Sequence, residues 1–231
     1  GWMPQLDNLA LTQDGFTLSL SASVDPSTRV AVLGPSGSGK STLLSLIAGF
    51  LQPDLGRILW DGADITEAVV AARPMSILFQ DGNLFPHLSV FDNVALGLRP
   101  DLRLSPDQRD RVAQSLSDVG LGEMGDRRPA TLSGGQQARV GLARLLLRDR
   151  PLALLAEPFA ALDPGLLAEM LALLKSLSAR RGLTLIMACH DLRDAERLCD
   201  RLWLLEDGKL VLDAPMAGLR DAPDPVLQPW L

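Results

Sequence analysis

The chain contains no tyrosine and only two cysteines among its 231 residues. Two thiols, Cys189 and Cys199, do not make a disulfide framework, so a reducing cytosol is the default compartment. Both read as small buried hydrophobes. No apolar run approaches the roughly 20 residues needed to cross a bilayer, which excludes a membrane-spanning helix. Nor is there a basic excess. A formal net charge of -6 and a pI ≈ 4.9 argue against a nucleic-acid surface. The adjacent pairs Arg127-Arg128 and Arg180-Arg181 read as solvated faces. There is no internal repeat and no low-complexity linker. Gly1 and Trp2 ahead of Met3 read as an addition, and no basic-then-apolar export leader is expected.

What is present suffices for a large core, either one α/β domain or a core carrying a subdomain. The most informative stretch is Gly34-Pro35-Ser36-Gly37-Ser38-Gly39-Lys40-Ser41-Thr42. It follows the apolar run Arg29–Leu33 and precedes Leu43–Ala48, so the order is buried strand, glycine-rich loop, helix. That is the setting of a phosphate-binding P-loop. Glycines let backbone N–H groups curl around phosphate oxygens, and the helix points its positive end at the same anion. Lys40 can reach the β- and γ-phosphates, and the Ser41 hydroxyl is placed to bind Mg²⁺.

Alternating apolar and polar residues over Gln5–Ala10 and Phe16–Ala22 predict half-buried antiparallel strands. Gly56–Trp60 predicts a further strand with a tight turn at Asp61-Gly62, and Met75–Phe79 a short apolar one. From Val90 to Arg148 the pattern turns helical. Ser105-Pro106 reads as an N-cap with proline opening a helix to Val119, and a second helix starts near Ser133 and ends before Pro151. Strand and helix then alternate: Leu152–Leu155, Pro164–Arg181, Leu183–Met187, Leu192–Cys199, with a terminal hairpin about Asp207-Gly208. Apolar strands alternating with helices predict a parallel sheet covered on both faces. The expected layout is a single domain over 1–231. Its core is 1–83 and 151–231, including the antiparallel β region, with a helical subdomain over 84–150.

Five further features fit one mechanism: Gln80 just after a strand, Leu132-Ser133-Gly134-Gly135-Gln136 opening a helix, Glu157 after the strand Leu152–Leu155, Asp163, and His190 closing the strand that starts at Leu183. In this order behind a P-loop they resemble the ATP-binding cassette ATPases, and the resemblance covers almost the whole chain. It implies a P-loop α/β fold and a head-to-tail homodimer holding two ATP molecules between subunits. Each ATP would be gripped by Gly34–Thr42 of one copy and Ser133–Gln136 of the other. By the same analogy Glu157 is the general base for the attacking water. Gln80 and Ser41 serve Mg²⁺, His190 contacts the γ-phosphate, and Asp163 lines the dimer seam. Leu78–Val90, Asn93, Leu96–Leu98 and Pro100–Leu104 look like the ATPase subunit of bacterial thiamine importers. The short stretch after the last expected strand fits that branch, since importers of iron, sulfate or polyamines usually append a regulatory domain. The implied partners are an integral-membrane permease and a periplasmic substrate-binding protein, and the implied place is the cytoplasmic face of the inner membrane. The segment Asn83 to His87 reads as a lip for a short permease helix, with Phe85 as its anchor.

Two departures stand against this resemblance. The family has Asp immediately before the catalytic Glu, where this chain has Ala156. Losing an oriented carboxylate of that kind lowers metal affinity or activity roughly 10–100-fold, so slow hydrolysis is expected. The family also has an aromatic ahead of the P-loop on which adenine stacks, whereas the matching region here is Thr12-Gln13. Phe16 is the available substitute. The competing functions are a hydrolysis-impaired, nucleotide-gated dimer and an importer ATPase for an amino acid or iron. A soluble relative acting on nucleic acid or ribosomes is disfavoured by the single cassette, the absence of a heptad run and the acidic balance.

Overall fold

The computed structural model describes residues 4–79 and 84–231. The strands are β1 (Pro4–Gln13), β2 (Phe16–Ser23), β3 (Arg29–Leu33), β4 (Leu55–Trp60), β5 (Ala63–Asp64), β6 (Met75–Phe79), β7 (Leu152–Ala156), β8 (Thr184–Cys189), β9 (Arg201–Glu206) and β10 (Lys209–Pro215). The helices are α1 (Lys40–Ala48), α2 (Val90–Ala95), α3 (Pro106–Asp118), α4 (Gly134–Arg148), α5 (Pro164–Arg181) and α6 (Leu192–Leu198). All the strands join one sheet in the order β5-β4-β1-β2-β10-β9-β3-β8-β7-β6. From β9 to β6 the pairings are parallel, while β1 pairs antiparallel with both β2 and β4. The two regions meet through β10 and β2, where Lys209 pairs with Ser19.

The central strands are buried on both faces because their side chains alternate between two apolar layers. In β3, Ala31 and Leu33 enter the layer built with α2 to α6. Val30 and Val32 enter the layer shared by α1 and the antiparallel strands. In β1 the alternation slips between Leu6 and Leu9, where Asn8 adopts φ +48°. That irregularity puts both leucines into the same layer.

The helix starts follow local chemistry. Ser105 accepts from Gln108 N while Gln108 Oε1 accepts from Ser105 N, with Pro106 at the first helical position. Asp149 ends α4 in the left-handed region at φ +51°, the place usually taken by glycine or asparagine. The short β5 and the 3-10 turns Val70–Ala72, Pro129–Thr131 and Pro225–Trp230 carry no apolar period that a sequence reading could use. The segment from Val90 to Arg148 resolves into three helices separated by loops.

A buried guanidinium ties α1 to the chain entering β6. Arg73 donates through Nη1 to Leu46 O and Ile47 O, through Nε to Ala68 O and through Nη2 to Thr66 O. Two of those acceptors are carbonyls of the last turn of α1; Leu46 O also accepts from Gly49 N just past the helix end. Burial lowers the guanidinium pKa, yet four carbonyl acceptors keep it solvated.

Candidate nucleotide site

The site forms where β3, β8 and β7 end side by side. Leu33 pairs with Cys189, and Ala156 with Ala188, so the residues that follow each strand emerge at one edge. This is the edge of an open parallel sheet at which ligands bind. The residues following β3 form a loop that leads into α1. Its geometry depends on missing Cβ atoms. A Cβ at Gly34 would lie 2.5 Å from Ser38 Oγ and 2.7 Å from Leu205 O, and Gly39 sits at φ +106° as the N-cap of α1. Ser38 N donates to Pro35 O at 3.1 Å, closing the turn.

The loop walls a cleft of ≈ 740 Å³ lined by Phe16, Ser36, Gly37, Gly39, Lys40, Ser41, Thr42, Glu157 and His190. Lys40 is only 7% exposed. Its Nζ donates to Gly34 O at 2.6 Å and Cys189 O at 3.0 Å, and pairs with Glu157 Oε1 at 3.3 Å. Three oxygens from three separate segments therefore fix the ammonium at the wall of the cleft. Glu157 takes φ +52°, a conformation that costs a residue with a side chain ~1–3 kcal/mol and that clusters at functional sites. His190 Nδ1 stands 3.3 Å from the same Glu157 oxygen. The Cys189 thiol is pushed up to about 12 by burial, so the residue serves the site through its carbonyl and not its sulfur.

Beside His190, Asp191 caps α6 by accepting from Arg193 N at 2.8 Å. The Arg193 side chain holds the Asp191 carboxyl below its usual range. Ala156 is half-buried and packs into the layer with α1. Its methyl group offers no oxygen to the cleft. Phe16 packs on the same layer and also lines the cleft.

The cleft thus gathers most of Gly34–Thr42 with Glu157 and His190. Gln80 lies outside the described residues. Leu132, Ser133, Gly134, Gly135, Gln136 and Asp163 are not among the residues that line it. Leu132 is buried, while Ser133 caps α4: its Oγ accepts from Gln136 N at 3.2 Å and Gln136 Oε1 accepts from Ser133 N at 3.0 Å. Asp163 caps α5 by accepting from Leu166 N at 3.0 Å. The starts of these two helices touch, since a Cβ at Gly135 would lie 3.3 Å from Leu166 Cδ2. The serine-glycine turn and the exposed Asp163 therefore form a second, outward-facing edge, separate from the cleft. Sequence reasoning missed Asn93 as the anchor of the loop before α2. The available signal was an asparagine one turn inside a helix, where it is intrinsically disfavoured.

A strand–glycine-rich loop–helix unit with a buried lysine, a neighbouring carboxylate and imidazole, and a serine-glycine helix start on an inserted helical region define an ABC-type ATPase. A profile of the family described as ABC transporter matches residues 18–160, and the chain belongs to that family. It is an ATP-binding ATPase coupled to transport. The chain is 60% identical over 230 residues to the thiamine import ATP-binding protein ThiQ of Jannaschia sp. (strain CCS1), covering 99% of this chain and 100% of that protein. It is 50% identical to ThiQ of Cereibacter sphaeroides, covering 99% of each. Among solved structures, cbiO1 from Clostridium perfringens, part of the ABC transporter complex cbiONQ, superposes with a TM-score of 0.86 at 29% identity, over 99% of this chain and 94% of that one. The ATP-binding cassette MJ0796, solved as a dimer in a post-hydrolysis state with ADP and Pi, gives 0.79 at 29% identity, over 94% and 100%.

Proposed function

We propose that the chain is the ATPase subunit of a thiamine importer, working as a head-to-tail homodimer on the cytoplasmic face of the inner membrane. Its partners in this reading are an integral-membrane permease and a periplasmic substrate-binding protein. The observation that carries the ATPase reading is the Lys40 ammonium, fixed by Gly34 O, Cys189 O and Glu157 in a cleft lined by P-loop residues. The thiamine assignment is supported by the 60% identity to a thiamine import ATP-binding protein over the full length of that relative.

In this reading Lys40 and the loop amides hold the triphosphate and offset its negative charge. Glu157 orients the attacking water and accepts its proton, and His190 steadies the γ-phosphate. Ser133 and the glycines of a second copy close over the same triphosphate with the positive end of α4. Asp163 of that copy lies beside them at the seam. The donor set suits Mg²⁺: Ser41 presents a hydroxyl from the first turn of α1 to the cleft that Glu157 also lines. Ser41 and Gln80 would hold the ion, which supplies charge neutralisation at the phosphate oxygens when bound. Residues 84–150 form the helical subdomain that contacts the permease, with Phe85 as anchor. Reconstitution with a thiamine permease and its binding protein tests the reading. ATP-dependent thiamine uptake, abolished by Lys40→Ala, is the expected result, and no uptake with the intact chain would reject it.

Ala156 favours a second reading in which the dimer forms on ATP and hydrolyses it slowly. The Ala156 methyl packs into the apolar layer with α1, leaving Glu157 to serve both Lys40 and the water.

A further inference from the structure

Asn93 is fully buried on α2, one turn after the N-cap Ser89. A buried primary amide is costly unless its donors and acceptor are used. Here all of that capacity goes to the loop just before the helix. Oδ1 accepts from Phe85 N at 2.8 Å, while the two N–H groups of Nδ2 are shared among Phe85 O at 3.1 Å, Ser89 O at 3.0 Å and Leu88 O at 3.3 Å. Phe85 is thereby held at both its N–H and its C=O by one side chain. The loop is fixed from its other side by Arg128, which donates to His87 O, and by Arg127 O, which accepts from Val90 N. What the clamp presents is aromatic: Phe85 is 44% exposed, with the His87 ring edge-on to its ring at 6.0 Å. Asn93 takes no part in lining the nucleotide cleft.

We propose that Asn93 is a positioning residue for permease docking, holding the loop before α2 in its bound shape so that Phe85 meets an apolar side chain of a short cytoplasmic permease helix. The inference rests on the reading of Phe85 as the docking anchor and extends it. An aromatic anchor on a rigid backbone binds without first losing loop entropy, and an amphipathic helix laid against such an anchor is a common recognition mode.

The test uses the full chain, its permease in detergent, and the variants Asn93→Ala, Asn93→Ser and Phe85→Ala. In the isolated subunit, hydrogen exchange at the Phe85 amide should quicken by about tenfold or more in both Asn93 variants. Basal ATPase and KM for ATP should stay unchanged. Permease binding and permease-stimulated ATPase should fall by about tenfold in both Asn93 variants and in Phe85→Ala. Combining Asn93→Ala with Phe85→Ala should weaken binding little beyond Phe85→Ala alone, because both changes remove the same contact. Full permease affinity in the Asn93 variants, with Phe85→Ala impaired, would overturn the positioning role while leaving the anchor intact. Unchanged binding in Phe85→Ala would reject the anchor and this inference together. Loss of the fold in both Asn93 variants would also overturn it, by making Asn93 a general structural residue.

Discussion

Lys40 concentrates the chemistry of the site, because its ammonium is shared among two carbonyls and the Glu157 carboxylate. In this chain the residue before Glu157 is Ala156. Ala156→Asp is therefore expected to raise kcat for ATP by roughly 10–100-fold, and steady-state ATPase assays check it. Equal rates would show that the methyl costs nothing. Phe16 lines the cleft, and the chain has no tyrosine to offer a base. Phe16→Ala should weaken ATP binding by about 1–3 kcal/mol if the ring stacks on the base. Calorimetric titration with ATP and GTP reads this, and an unchanged Kd would return Phe16 to a packing role. The Cys189 thiol, raised to about 12 by burial, should resist alkylation at pH 8 until the protein unfolds. Between the unfolded pKa near 9 and about 12 the neutral thiol persists only in the fold, so this contribution to stability is intact below 9 and fades as pH rises toward 12. These residue roles differ in how far the sequence reveals them. Lys40 and Glu157 stand in readable spacings, whereas the use of the Cys189 carbonyl depends on a strand ending beside β3.

At the scale of elements, the start of α3 was legible from Ser105 before Pro106 and that of α4 from Ser133 before two glycines, and the structure adds a capping box with the glutamine three residues on in each. Ser133→Ala should cost about 1 kcal/mol of stability through the lost cap. In an ATP-induced association assay the same change should do more harm, because the hydroxyl would also face phosphate. Arg73 was not legible. Its acceptors are carbonyls from two other segments, and backbone atoms leave no residue-type signature. Arg73→Leu is expected to destabilise the fold by roughly 3 kcal/mol or more, leaving buried carbonyls unpaired. Chemical denaturation measures it, and a loss below 1 kcal/mol, well under the ~1.5–3 kcal/mol of one hydrogen bond to a charged group, would contradict the clamp. Asn93 left a weaker trace, an asparagine one turn inside a helix, but its acceptors are again backbone carbonyls.

For the whole molecule, apolar strands alternating with helices pointed to a two-faced parallel sheet, and β3 serves both layers. The continuity of that sheet into the antiparallel region could not be read, since it passes through Lys209 and Ser19, far apart in the chain. The most consequential feature at this scale is the separation of two surfaces that the proposed function assigns to one triphosphate. One is the cleft of Lys40, and the other is the Ser133 turn beside Asp163, which lines none of it. In the proposed head-to-tail homodimer, a second copy would turn its Ser133 helix start toward the partner's cleft. Sedimentation velocity of the Glu157→Gln protein, with and without saturating Mg-ATP, tests this most directly. A shift on ATP addition to twice the 24.8 kDa chain mass, abolished by Ser133→Arg, is the predicted result. A species that stays at one chain mass with ATP bound would contradict it.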